Sequence, residues 1–197
     1  FNMNFVARIG DTGYETLQKA INNVQNNQVI ELLTHNSENI VAGNENQKPF
    51  NKIFTIDGGN FNVTGKWTFG RDDHNTDNSE ITVKNVNFSV YGIKIDDFKS
   101  VTINECTFKN ITEGNGIYVA ADEFTSSIIV EHCEIEDVAA AGINLRNPVN
   151  ATIIGNSIKN TGNNAITFQH GTAYTEAENG TYIITNNVLE NWAYNAT

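Results

Sequence analysis

Five short segments of the chain repeat one arrangement of apolar and polar residues. In each segment the first, third and eighth residues are predominantly apolar, and the sixth is mostly small or an amide; the segments are 81–88, 101–108, 128–135, 151–158 and 182–189. Apolar residues that alternate with a period of two predict β-strands rather than helices. Strands this short are stable only when neighbouring copies stack on one another, so the repeat predicts a solenoid.

A second, shorter pattern follows four of these segments. It consists of Gly or Ala, an apolar residue, a variable residue and another apolar residue, at 92–95, 116–119, 142–145 and 165–168. The spacers between successive copies vary in length. Constant strands with variable spacers indicate that each coil carries loops on its outer surface.

The alternation breaks in the middle of each main segment, which predicts a tight corner between two strands. The corner residues are Asn85, Glu105, His132, Gly155 and Asn186, followed by Val86, Cys106, Cys133, Asn156 and Asn187. We expect inward amides here to form hydrogen bonds from coil to coil, and a second column (Asn110, Asp137, Asn160 and Asn191) to do the same. Cys106 and Cys133 are predicted to face the interior as unbonded thiols.

The N-terminal part of the chain predicts a cap for the open end of the solenoid. Thr12 and Glu15 have the spacing of a capping box, and apolar residues at helical spacing follow them, which predicts a helix over 14–27. We therefore divide a single domain, 1–197, into a cap (1–33), irregular early coils (34–80) and regular coils (81–197). The last coil shows no capping pattern, so we expect the chain to be a fragment of a longer protein, with further domains of the same chain as partners.

These patterns resemble the right-handed parallel β-helix of the pectate-lyase-like superfold over roughly residues 81–195. The segment 5–33 is similar to the opening of many bacterial cell-surface β-helix modules, in which a strand, an amphipathic helix and the first coil form the cap. The resemblance implies an all-β, right-handed parallel β-helix with an N-terminal capping α-helix. It does not imply one activity, because this superfold hosts lyases, hydrolases, epimerases and binding proteins.

Composition and charge exclude several classes of function. The chain has a net charge of −11, and nucleic acids and anionic membranes attract basic surfaces. There is no apolar run long enough for a membrane span, and two cysteines make neither a disulfide framework nor a zinc quartet. The 32 Asn residues agree with the predicted amide columns.

Outward residues of the second strands form the candidate ligand-binding surface. In a stacked coil, equivalent outward positions make rows, and here the candidates are Lys94, Asp96, Tyr118, Asn144, Arg146 and His170. Relatives that cleave acidic polysaccharides use such a face with calcium-binding carboxylates and a basic Arg or Lys, and Asp96, Asp97 and Arg146 match that set only in part. An ordinary solvated surface is the remaining interpretation.

A loop of acidic and amide residues is a weak calcium candidate. Asp73, Asn75 and Asp77 have the alternate spacing of oxygen ligands in a calcium loop. The glycine and the final glutamate of that motif are missing. No other cofactor is predicted, and no catalytic residue is assigned.

Three functional hypotheses follow. The first is a noncatalytic, adhesin-like module on a bacterial surface or secreted, which binds a glycan or a host surface protein through one face of the β-helix. The alternative is a polysaccharide lyase or glycoside hydrolase that acts on an acidic polysaccharide. The third is a structural spacer.

Overall fold

The computed structural model describes residues 4–43, 52–70, 79–121, 125–170 and 180–193. One short helix, α1 (Leu17–Asn23), accompanies nineteen strands in the described residues. The strands are β1 (Ala7–Ile9), β2 (Thr12–Tyr14), β3 (Gln28–Leu32), β4 (Ile40–Ala42), β5 (Ile53–Asp57), β6 (Asn62–Val63), β7 (Trp67–Phe69), β8 (Glu80–Lys84), β9 (Asn87–Asp96), β10 (Ser100–Asn104), β11 (Thr107–Ala120), β12 (Thr125–Glu131), β13 (Glu134–Val138), β14 (Ile143–Arg146), β15 (Pro148–Ile154), β16 (Ser157–Thr161), β17 (Ile166–Gln169), β18 (Tyr182–Thr185) and β19 (Val188–Trp192).

The strands of the coils form long parallel sheets, as the repeat predicts, and among the described residues only the cap strand β1 pairs antiparallel, with β2 and with β3. One sheet has the order β18-β15-β12-β10-β8-β5-β3-β1-β2, and another has the order β19-β16-β13-β11-β9-β7-β4. Val101 pairs with Ile81 on one side and with Ile128 on the other, so the predicted register of the repeats is confirmed. The second pattern is also in register, because Ile117 pairs with both Ile93 and Ile143.

The core is a continuous column of apolar side chains inside the coil. The alternate residues of each strand point inward and are fully or almost fully buried through most of the solenoid. Phe88 and Phe108 stack with ring centroids 4.8 Å apart, and Trp67 meets Phe88 edge to face at 5.1 Å. Because each coil buries its neighbours' apolar side chains, stability depends on stacking.

The predicted corners are turns in the left-handed backbone region. Asn85, Glu105, His132, Gly155 and Asn186 all have φ between 50° and 69°. Asn and Gly suit these positions because they adopt positive φ with little strain. The inward amide stack is confirmed at the next position, where Asn156 Nδ2 donates to Asn187 Oδ1 at 2.9 Å.

The second amide column lies on the surface, so the expectation that it repeats the inward stack is wrong. Asn110, Asp137, Asn160 and Asn191 also have positive φ, but none of them is buried. The coil-to-coil hydrogen bonds are nevertheless present: Asn160 Nδ2 donates to Asp137 Oδ1, and Asn191 Nδ2 donates to Asn160 Oδ1. These residues occupy the positive-φ position itself, like the exposed Glu105 and His132, whereas the buried Asn156 directly follows such a position.

Cys106 and Cys133 are free and buried on successive coils, which confirms the prediction. Each thiol donates to a backbone carbonyl two residues earlier, at 3.3 Å. Burial raises the pKa of the Cys106 thiol strongly and raises the pKa of Cys133 to about 12. Because the thiolate is the reactive form, both side chains are structural at neutral pH.

The cap contains the predicted helix, but its predicted start and length are wrong. Thr12 lies in β2, which pairs antiparallel with β1, so it does not cap a helix. The helix begins at Leu17, and Thr16 accepts a hydrogen bond from the Lys19 backbone N–H. The Glu38 carboxylate accepts from two further N–H groups of the first turn. These contacts satisfy the helix start that the sequence pattern assigned to Thr12.

Candidate ligand-binding site

The coil changes its circumference between the early and the later repeats. Phe88 pairs with Phe108 and Ile93 pairs with Ile117. Ile93 follows Phe88 by five positions, whereas Ile117 follows Phe108 by nine. The longer turn of β11 therefore overhangs the shorter turn of β9 and creates a step in the surface.

This step forms a cavity of about 290 Å³, which we call the notch. It is lined by Lys66, Trp67, Tyr91, Gly92, Ile93, Lys94, Glu113, Gly114, Asn115 and Tyr118. Val90, in the short turn, has a φ of 76°, which is strained for a β-branched residue. Strain of this kind persists where the surrounding structure imposes it, and here the short turn imposes it.

Two tyrosines and two lysines supply much of the notch surface. Lys94 is the register partner of Tyr118, and its Nζ lies 5.9 Å from the centre of the Tyr118 ring. The same Nζ forms an ion pair with Asp96 at 2.5 Å. Lys94 is therefore held over the Tyr118 ring by a cation–π contact and a carboxylate.

Polar groups at and beside the notch remain without hydrogen-bond partners. The indole Nε1 of Trp67 is buried and has no partner, and neither has Oδ1 of Asn144, the register neighbour of Tyr118. Asn115 uses its Oδ1 to accept from the Ala141 backbone N–H, which leaves its amide Nδ2 as a donor. Trp67 is fully buried and Asn144 does not line the notch, so the Asn115 amide is the one of these groups that can donate to a ligand there.

The structure brings together some of the sequence-predicted site residues and separates others. Lys94, Asp96, Tyr118 and Asn144 lie on adjacent strands in one patch. Arg146 pairs with Gln169 on the next coil and does not line the notch, although it stays exposed. His170 lies near the Tyr182 ring, with centroids 6.2 Å apart, towards the last described coil.

Asp97, which the sequence grouped with Asp96 and Arg146, does not face outward, contrary to expectation. Asp97 and Asn147 are only 5% and 2% exposed, and both have positive φ. Asn147 Nδ2 donates to the Ala121 carbonyl at 2.8 Å, which places the amide within a buried turn. The backbone turns inward directly after β9 and after β14, and Asp97 therefore does not join Asp96 and Arg146 on the surface.

The calcium candidate Asp73, Asn75 and Asp77 lies outside the described residues. Within the described part of the chain, there is no cluster of three or more His, Cys, Asp or Glu side chains that could hold a metal ion. No helix in that part has the length and apolarity needed to cross a bilayer.

The sequence pattern missed Lys66, Tyr91, Glu113 and Asn115. Tyr91 lies in the middle of β9, Glu113 and Asn115 lie in the middle of β11, and Lys66 directly precedes β7. All four lie outside the repeated apolar patterns, which make no prediction there. The available signal was the unequal spacing of the two patterns, which differs by four positions between the β9 and β11 coils. A change of spacing between adjacent coils marks the place where one turn overhangs the next.

The fold and the notch define a stacked parallel β-solenoid with a small ligand-sized depression on one face. Residues 74–196 match the family model described as right handed beta helix region, and the chain belongs to that family. The match confirms the predicted right-handed coil. No curated protein and no solved structure is significantly similar to the chain.

Proposed function

We propose that the protein is a noncatalytic glycan-binding module that holds one sugar unit in the notch. In this proposal it acts outside the cell as an adhesin-like surface domain. The observation that carries the proposal is that Tyr91, Tyr118 and Lys94 all line the notch.

The chemistry of the notch suits a sugar. Tyrosine offers an apolar ring face for the C–H groups of a sugar ring and a hydroxyl for its oxygens. Lys94, Glu113 and the Asn115 amide surround these rings with donors and acceptors for hydroxyl groups. A few placed polar groups among apolar surfaces are typical of small-ligand sites, and a volume of about 290 Å³ is at the small end of their range.

The chemistry favours binding over the glycoside hydrolase alternative. Glycoside hydrolysis generally uses two carboxyl groups that flank the bond to be broken. Among the described residues, Glu113 is the one carboxylate that lines the notch, and nearby Asp96 is engaged by Lys94. The partner in this proposal is therefore a glycan that leaves unchanged, carried by a host surface or by another cell.

Replacement of the two tyrosines tests the proposal. The wild type is screened on a glycan array, and Tyr91→Ala/Tyr118→Ala is expected to bind its best glycans at least about fivefold more weakly, because each aromatic contact contributes about 0.5–1.5 kcal/mol. Both side chains are partly exposed, so the thermal midpoint should change little.

Arg146→Ala is the matched control for this experiment, since Arg146 is exposed on the same sheet but does not line the notch. Its array profile should equal that of the wild type. Equal glycan binding by the double variant, or cleavage of the bound glycan by the wild type, would contradict the proposal.

A further inference from the structure

Two opposite charges face the notch without neutralising each other. Lys66 and Glu113 both line the cavity and are both exposed. Among the described residues neither side chain has an ion-pair partner, although Lys94 beside them is paired with Asp96. Lys66 and Glu113 are therefore the two uncompensated charges of the notch.

The fold keeps the backbones of these two residues two strands apart. Lys66 directly precedes β7, Glu113 lies in β11, and β9 pairs with both strands and runs between them. Two strand spacings amount to about 10 Å. On β9 the register partner of Glu113 is Tyr91, and Gly92 directly precedes Ile93, the register partner of Trp67. Neither Tyr91 nor Gly92 carries a charge that could bridge Lys66 and Glu113.

We propose that the notch selects a sugar unit that carries both a carboxylate and an ammonium group. This inference rests on the proposed function and specifies its ligand class. The ligand carboxylate pairs with Lys66 and the ligand ammonium pairs with Glu113, while the ring contacts Tyr91 and Tyr118. Lys94 adds no uncompensated charge to the notch because its ammonium group is paired with Asp96.

The electrostatics favour such a bipolar ligand over a singly charged one. A purely anionic sugar pairs with Lys66 but leaves Glu113 unpaired. It is also repelled by the net charge of −11 on the protein. A purely cationic sugar gains from Glu113 but not from Lys66. Each exposed ion pair multiplies affinity by about two to five, so the two together are expected to give about tenfold.

Four related sugars separate the contributions of the two charges. Muramic acid carries both charges, glucosamine only the ammonium, N-acetylmuramic acid only the carboxylate, and N-acetylglucosamine neither. Titration calorimetry with the full chain is expected to rank muramic acid first, about tenfold tighter than N-acetylglucosamine, with the other two between them.

Charge-removing variants assign each contact. Lys66→Gln should lower the affinity for muramic acid and N-acetylmuramic acid by about threefold and leave the affinity for glucosamine unchanged. Glu113→Gln should lower the affinity for muramic acid and glucosamine by a similar factor and leave the affinity for N-acetylmuramic acid unchanged. Arg146→Gln, at an exposed cation outside the notch, should alter none of the four.

The outcomes distinguish this inference from the proposed function. Equal affinity for all four sugars, lost in Tyr91→Ala/Tyr118→Ala, overturns the bipolar ligand and retains glycan binding. A ranking in which one charge alone matters also overturns it. Failure of all four sugars and of every glycan on the array overturns both proposals.

Discussion

Asn156→Ala is expected to lower the free energy of unfolding by about 2–4 kcal/mol. Asn156 is 1% exposed, and its Nδ2 donates to the Val130 carbonyl while its Oδ1 accepts from the Cys133 N–H. The alanine variant leaves these backbone groups buried without partners and opens a small cavity. Urea unfolding followed by circular dichroism measures the loss.

Asn150→Ala is the matched control for this prediction. Asn150 also bridges three coils, since it donates to the Ser126 carbonyl and accepts from the Thr181 N–H, but it is exposed. Water replaces its hydrogen bonds, so the expected loss is below about 1 kcal/mol. Equal losses of unfolding free energy in the two variants would show that burial of the Asn156 amide does not stabilise the solenoid.

Gly92→Ala is expected to destabilise the fold by about 3 kcal/mol. The added Cβ would overlap two backbone carbonyl oxygens of the next coil, and backbone cannot move aside as a flexible side chain does. Forcing the coils apart at this point costs overpacking energy of roughly 1–3 kcal/mol, occasionally more. The measurement is the unfolding midpoint in urea.

Gly70→Ala supplies the comparison for Gly92→Ala, because its nearest neighbour would be the Asp96 Cβ at 3.8 Å, an ordinary contact. Its stability should stay within about 0.5 kcal/mol of the wild type. A stable Gly92→Ala variant would mean that the coils at the notch are not packed as closely as described.

The solenoid could be predicted because equivalent positions of the repeat are the residues that pair between neighbouring coils. Ile81, Val101 and Ile128 occupy the same place in three copies, and stacking leaves one way to bury all three. The cap was less predictable. Thr12 and Glu15 have the spacing of a capping box, yet pairing of Thr12 with Ile9 draws this segment into a strand. Tertiary pairing overrode a local signal.

The candidate site was predictable only in part, for a related reason. Lys94 and Tyr118 lie on regular strands, so the repeat alone places them side by side. Glu113 lies in the irregular middle of β11 and Lys66 directly precedes β7, so their positions depend on the relative lengths of adjacent coils. A repeat pattern predicts what its members share, whereas the notch arises from a difference between two members.

Backbone NMR with and without muramic acid tests the claim that the notch is the glycan-binding site. Saturating sugar is expected to shift the amide resonances of residues 91–94 and 113–118, on the two sides of the step, and to leave those of 146–147 and 169–170 unchanged. Shifts centred on Arg146 and His170, with none at Tyr91 or Tyr118, would contradict the claim.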